Sequence, residues 1–311
     1  MPSIIDKVAL LIEKDGIEAW HNVSIDELDK NVDNYKKITD CLDVWFDSGV
    51  THDCVLSNDS NLQFPADLYL EGSDQHRGWF QSSLLTSVAI NDVPPFKAVL
   101  THGFVVDAEG KKMSKSIGNV ISPQQIWDSK GADVLRAWIA STDYRNEMVI
   151  SDEILQRSAD AYRRIRNTIR FLLGNLYDYD DKKNVLNIQD LTELDKWMML
   201  RIKNLQNEII KDYGNYQFHI VFQKIQNFCT NELGGFYLDI LKDRLYTSKD
   251  NSNARRSSQT VLYKILGFLL RAIAPILSFT AEEAWRLFNP KSDSIFLEEW
   301  LNDWPIIPER S

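Results

Sequence analysis

The apolar pattern changes character at Ser151, and that change divides what the chain can fold into. Beyond it, apolar residues recur every three or four positions over long windows, the period of helices that bury one face. Five such windows, about 152–176, 193–213, 216–233, 254–273 and 281–288, predict a helical bundle. Thr280-Ala281-Glu282-Glu283 has capping-box spacing for the last, and the polar stretches 178–187 and 247–253 read as loops. Before Ser151 the apolar runs are short. Those at 43–46, 68–70 and 96–101 read as buried strands, with a helix-like run at 75–90 between the last two. Strand, helix, strand at that spacing is the pattern of a parallel sheet. Residues 104–107 suggest one more short strand. Ser122 before Pro123 reads as an N-cap with proline at the first helical position, and 131–141 has helical spacing at Val134, Leu135, Trp138 and Ile139. At the amino end, Ile4, Ile5, Val8, Leu11 and Ile12 predict a helix ending near Gly16, and Ser24 with Glu27 marks a second, short one.

At 311 residues, 44% of them hydrophobic, the chain can bury enough core for two domains. No run of 18 apolar residues occurs, and the first residues lack the charged-then-apolar order of a signal peptide, so the expected location is the cytoplasm, away from any membrane. Cys41, Cys54 and Cys229 are few, odd in number and irregularly spaced, which argues against a disulfide framework. Cys41, His52 and Cys54 lack a Cys-x-x-Cys pair and a fourth ligand, so no zinc is expected. The net charge of -10 sits entirely in residues 1–150, which hold 13 basic and 23 acidic residues against 22 of each in 151–311. A neutral second half with clustered arginines can still present a basic face to phosphate.

Residues 110–118, Gly-Lys-Lys-Met-Ser-Lys-Ser-Ile-Gly, put three lysines and two serines between glycines, after a predicted strand and before a capped helix. Ammoniums and hydroxyls so placed can stabilise charge developing on a transferring phosphoryl group, and flanking glycines let the loop close. A solvated basic loop is the competing reading; a Walker A loop is excluded because Gly-x-x-x-x-Gly-Lys-Ser/Thr is absent. The order Lys112-Met113-Ser114-Lys115-Ser116, continued by Ile117-Gly118-Asn119, resembles the Lys-Met-Ser-Lys-Ser signature of class I aminoacyl-tRNA synthetases. In that family the loop closes over ATP, accompanied by Mg2+, while the amino acid carboxylate attacks the α-phosphate. The resemblance makes Lys115 the first and Lys112 the second candidate for phosphate contact and catalysis, with the Ser114 and Ser116 hydroxyls as further ATP contacts.

Tyr69-Leu70-Glu71-Gly72-Ser73-Asp74-Gln75-His76-Arg77-Gly78-Trp79-Phe80 reads by itself as a strand end and a helix start, where a glycine admits a ligand close to the backbone. It resembles the isoleucine subfamily of these synthetases, which implies roles for Glu71 at the aminoacyl-adenylate, Gly72 and Asp74 at the nucleoside, and Gln75 at the ammonium of the amino acid. Trp45, in Asp43-Val44-Trp45-Phe46-Asp47-Ser48-Gly49, and Trp79 correspond to tryptophans that wall the side-chain pocket there; core packing is the alternative for each. In 151–176, Arg157, Arg163, Arg164, Arg166 and Arg170 form an arginine set. Arg163, Arg166 and Arg170 share a helix face by their spacing and could track a phosphate backbone, or simply be solvated.

The resemblance implies the second half of a Rossmann-type parallel-sheet nucleotide fold, α/β, followed by an all-α helical-bundle anticodon-binding domain. The expected division is 1–150 for the catalytic part and 151–311 for the bundle. Within the first part, 1–40 resembles the tail after the editing insertion, 41–119 the Rossmann half with the lysine loop, and 120–150 the connecting helices. The implied activity is ATP-dependent attachment of L-isoleucine to tRNA-Ile. The second signature of the class, His-Ile-Gly-His, does not occur, nor do the editing insertion and the carboxy-terminal cysteine-rich zinc module, so the chain by itself is expected to be inactive. Its implied partners are tRNA-Ile, isoleucine, ATP and an amino-terminal synthetase portion. The alternative is a non-enzymatic tRNA-binding module.

Overall fold

The computed structural model describes residues 2–28 and 36–305. The apolar spacing of the amino end forms α1 (Pro2–Asp15), which stops where Gly16 adopts a φ of 77° and donates its N–H to the Ile12 carbonyl at 2.8 Å. That left-handed conformation is unstrained only for glycine. Two short helices follow, α2 (Glu18–Asn22) and α3 (Ile25–Leu28), and the Lys7 ammonium donates to the last carbonyl of α3, on buried Leu28, at 2.7 Å.

Residues 43–46 do not form the strand that their β-favouring side chains suggest. Asp43 is an N-cap whose carboxylate accepts the Trp45 N–H at 2.8 Å, and α4 runs over Val44–Gly49. A cap satisfies an orphan helix donor locally, and here it outweighs the strand preference of Val44, Trp45 and Phe46. The other expected strands form as β1 (Tyr69–Gly72) and β2 (Val99–His102), paired with each other and joined by α5 (Trp79–Asn91); the adjoining Ala66–Phe96 bridge is parallel. α4 docks on α5 closely enough that a Cβ on Gly49 would lie 2.9 Å from the Ser82 hydroxyl. Chain contacts group residues 1–101 as one compact unit and 102–311 as another.

The second unit begins with β3 (Val105–Val106), which pairs in parallel with β4 (Met148–Val149), Val105 opposite Met148. Between them lie α6 (Pro123–Lys130) and α7 (Ala132–Ser141). The expected cap of α6 forms as a full capping box, with Ser122 and Gln125 bonded reciprocally. These elements enclose a small core of Ile126, Trp138, Met148, Ile150 and Leu155.

The helices after Ser151 are α8 (Asp152–Gly174), α9 (Glu193–Gly214), α10 (Phe218–Asn227), α11 (Leu238–Thr247), α12 (Asn253–Ile273) and α13 (Ser278–Phe288). The window 216–233 is not one α-helix: α10 passes into a ten-residue π-helical stretch, Phe228–Tyr237. Gly234 and Gly235 lie in it, and a Cβ on Gly234 would sit 3.1 Å from the Cys229 carbonyl five residues back, a crowding that glycine avoids. α12 is buried nearly all round: its second half is apolar, and in its first half Arg255, Arg256 and Gln259 are buried with their polar groups bonded to Asp178. Thr280 does not cap α13, which starts two residues earlier. Its hydroxyl and N–H instead donate to the buried Asp133 carboxylate at 2.6 and 2.7 Å, and Arg136 donates to the carbonyls of Ile276 and Pro275, so α7 is bonded to the turn between α12 and α13. Fully buried Asp195 accepts from the hydroxyls of Tyr237, Ser257 and Thr192 at 2.6, 2.5 and 2.8 Å, tying α9, the π-helical stretch and α12 together.

Candidate functional site

The lysine loop is built on the turn that ends β3. Asp107, half-exposed, uses both carboxylate oxygens: Oδ1 accepts the N–H groups of Glu109 and Lys111 at 3.0 and 2.9 Å, and Oδ2 accepts from the Asn119 side-chain amide at 2.7 Å. The Asn119 amide and the Lys111 N–H hold this carboxyl below the usual carboxylate range. Gly110 and Gly118, at φ of 77° and 76°, take the left-handed turns at the two ends. Val106 and Lys112 form an antiparallel bridge.

Within the loop the three lysines are treated differently. The Lys111 ammonium pairs with Glu109 at 2.7 Å. Lys112 lies over the Phe104 ring, 4.0 Å from its centroid. Lys115 is exposed and has no carboxylate partner among the described residues. It sits in a turn closed by Gly118 N–H to Ser114 C=O at 3.1 Å and by Ile117 N–H to the Ser114 hydroxyl at 3.3 Å, with the Ser114 and Ser116 hydroxyls 3.1 Å apart. Met113 points the other way and packs on the small core around Trp138. The methionine of the signature, partly buried, thus anchors the loop by packing while the charged residues stay in solvent. The sequence alone gives Asp107 only as the end of a short strand and Asn119 only as the continuation of the signature, although Asp-x-x-Gly is a turn signal that marks the first.

The first unit brings the strand-end residues together. Glu71 and Asp74 are exposed and Gly72 is buried at the end of β1. The Gln75 side-chain oxygen Oε1 accepts the Trp79 backbone N–H at 3.0 Å and so caps α5, and the Trp79 indole N–H donates to Ser48 C=O at 2.9 Å, which fastens α4. Trp79 stacks on Tyr69, with centroids 4.3 Å apart and planes 13° apart. Trp45 is 41% exposed, and its ring lies against Gly78, where an added Cβ would meet it at 3.2 Å and the Gln75 oxygen at 2.8 Å. Trp79 is therefore partly a structural rivet, whereas Trp45 offers an open aromatic face.

Of the arginines on α8, Arg157 pairs with Glu153 at 2.5 Å and Arg163 with Asp160 at 2.8 Å. Arg166 and Arg170 meet no carboxylate among the described residues. Arg164 borders a groove of about 550 Å³ with Gln223, Lys224 and Asn227 of α10 and Thr230 of the π-helical stretch. Among the described residues no group of three or more His, Cys, Asp or Glu could hold a metal ion, and no helix is long and apolar enough to cross a membrane. Cys41 and Cys54 are exposed free thiols, while His52 is buried and bonded to Thr86 at 3.1 Å.

Comparison with known proteins agrees with this architecture. The family described as tRNA synthetases class I (I, L, M and V) matches residues 2–151, and that described as the anticodon-binding domain of tRNA ligase matches 195–309. Two solved structures share the fold. One is a LeuRS of Agrobacterium radiobacter, in a ternary complex with tRNA and LeuAMS, with a TM-score of 0.69 and 23% identity over 85% of this chain and 33% of that one. The other is the methionyl-tRNA synthetase of Mycobacterium tuberculosis in complex with methionyl-adenylate, with a TM-score of 0.64 and 18% identity over 81% of this chain and 53% of that one. The chain belongs to the class I aminoacyl-tRNA synthetases. Within that class it groups with the isoleucine–tRNA ligases: it is 58% identical to that of Idiomarina loihiensis over 96% of this chain, 56% to that of Teredinibacter turnerae over 100%, and 56% to that of Coxiella burnetii over 98%. It spans about a third of the length of these relatives, 32%, 33% and 33% respectively. The family read from the lysine loop and the strand end is borne out.

Proposed function

We propose that this chain supplies part of an isoleucine–tRNA ligase, which activates L-isoleucine with ATP and transfers it to tRNA-Ile in the cytoplasm. The observation that carries the reading is the lysine loop, with its full signature, its methionine packed partly buried against the small core and the Lys115 ammonium without a carboxylate partner among the described residues. Lys115 is the phosphate contact; Lys112 joins it on leaving Phe104, and the hydroxyls of Ser114 and Ser116 add donors. Gly72 and Asp74 receive the nucleoside, Glu71 the aminoacyl-adenylate, and Trp45 with Trp79 the aliphatic side chain. Gln75 reaches the ammonium only by sharing the oxygen that caps α5. Mg2+ would enter on the ATP phosphates, and no step here depends on it. Residues 1–150 act as the catalytic part and 151–311 as the anticodon-binding bundle, with Arg163, Arg166 and Arg170 on the RNA.

On its own the 311-residue chain does not charge tRNA, because His-Ile-Gly-His is absent from its sequence. An amino-terminal synthetase portion carrying that signature completes it, and the exposed Leu85 and Ile90 of α5 are apolar surface that such a partner can cover. Isoleucine-dependent pyrophosphate exchange tests both statements. The chain alone should give none, and adding the amino-terminal portion of an isoleucine relative should produce it. Exchange by the chain alone refutes the need for a partner. Failure of the mixture, together with steeply salt-dependent tRNA binding by the chain, points instead to a non-enzymatic tRNA-binding module.

A further inference from the structure

Asp107 and Asn119 bracket the lysine loop, with eleven residues between them, and their side chains meet at 2.7 Å. Every polar atom of the pair is used on the loop. Asp107 Oδ1 holds the N–H groups of Glu109 and Lys111 on the ascending arm, and Asn119 Oδ1 accepts the Ser114 N–H at 2.9 Å on the descending one, while the Asn119 amide also approaches Lys112 C=O at 3.5 Å. Ser114 in turn closes the turn that carries Lys115. Lys115 is thus two bonded contacts from the clasp. Without it, the Val106–Lys112 bridge, the Lys112–Phe104 contact and partly buried Met113 would still hold the ascending arm, but the segment that carries Lys115 would keep only its own turn, and a freer segment pays closure entropy each time its ammonium is brought to a defined point.

We propose that Asp107 and Asn119 are positioning residues that pre-form the lysine loop and hold Lys115 where a phosphate can meet it; this rests on the reading of that loop as phosphate-handling. Neither side chain has to touch substrate. The chemistry of the pair also makes it exchangeable. If Asp and Asn trade places the side-chain bond reverses its direction: the amide at 107 donates to the carboxylate at 119, its oxygen still takes the Glu109 and Lys111 N–H groups, the carboxylate at 119 still takes the Ser114 N–H, and only the 3.5 Å approach to Lys112 C=O loses its donor.

The test uses the 311-residue chain, with trypsin cleavage after Lys115 and amide exchange of residues 110–118 as readouts and inorganic pyrophosphate as the probe. Asn119→Asp places two carboxylates together, and Asn119→Ala removes the bonds without adding charge. Each should speed cleavage and exchange about fivefold, the scale of losing bonds to a charged but solvent-accessible group. Each should also weaken the protection that pyrophosphate gives the wild-type loop. The exchanged double variant Asp107→Asn/Asn119→Asp should restore both. Exchange of the α12 amides serves as the internal control for folding. With α12 unchanged, single variants that leave the loop as protected as wild type, or a double variant no better than Asn119→Asp, overturn the clasp. A wild-type loop indifferent to pyrophosphate overturns the phosphate reading, and loop exchange still decides the clasp by itself.

Discussion

Binding of tRNA to the bundle should depend on Arg166 and Arg170 much more than on Arg157, although all three lie on α8. A guanidinium contributes to phosphate binding by releasing condensed counterions, and each neutralised phosphate adds about 0.7 to 0.9 to the slope of log K against log salt. Arg157 and Arg163 already have counterions of their own, Glu153 at 2.5 Å and Asp160 at 2.8 Å, so a phosphate must displace a carboxylate before it gains the contact. Arg166 and Arg170 lie one helical turn apart, about 6 Å along the axis, and no carboxylate competes for them among the described residues. The double variant Arg166→Ala/Arg170→Ala should lower the slope by about 1.5 and the affinity on the order of tenfold near 0.1 M salt. Arg157→Ala should change neither appreciably. Asp160→Asn, which frees Arg163, should raise the slope by up to about 0.8. Fluorescence anisotropy with labelled tRNA between 50 and 200 mM salt, taken as about the range in which such slopes are measured, reads all three. An unchanged slope in the double variant, or a loss from Arg157→Ala as large as that from Arg170→Ala, would show that α8 is not the face that tracks the phosphates.

Three further outcomes follow from the surroundings of single residues. Asp195→Ala leaves the fully buried Tyr237 hydroxyl without its acceptor, and should cost about 3 to 5 kcal/mol in urea unfolding followed by far-ultraviolet dichroism; Asp195→Asn, which keeps an acceptor for Tyr237, should cost clearly less, and equal losses would contradict the network. Gly103→Ala would place a Cβ 2.2 Å from the Asn146 carbonyl oxygen and 2.8 Å from the Glu147 nitrogen, both backbone, so it should destabilise the β3–β4 pair by about 2 kcal/mol or more and speed exchange of the Met148 N–H, which bonds Phe104 C=O at 2.8 Å. The Asp143 carboxyl is lowered to about 2 by the hydrogen bonds of the Arg145 guanidinium. A depressed carboxyl stabilises the fold above its unfolded value near about 4, and that contribution disappears as pH falls through about 2. Carbon-detected titration should find this midpoint, and Arg145→Ala should move it back toward the ordinary range.

What could be read from the sequence was whatever is encoded in neighbouring residues. The periods of α8, α9, α12 and α13 and the Ser122–Gln125 capping box are short-range patterns, and each formed within a few residues of its expected place. The misreadings occur where one local signal outweighed another or where the partner is distant in sequence. At 43–46 the strand preference of three side chains lost to one capping carboxylate. At Thr280 a well-spaced capping box was never used, because Asp133, 147 positions away, takes both donors. The candidate site divides in the same way. The family was legible in the order Lys-Met-Ser-Lys-Ser, but the sequence does not distinguish three lysines of one type. Only the fold engages Lys111 with Glu109 and Lys112 with Phe104, and leaves Lys115 unpaired on a turn stabilised from Asn119. If Lys115 is the phosphate contact as proposed, what sets it apart from Lys111 and Lys112 is the pair of residues that engage those two, and Glu109→Ala or Phe104→Ala should make pyrophosphate protection of the loop less dependent on Lys115.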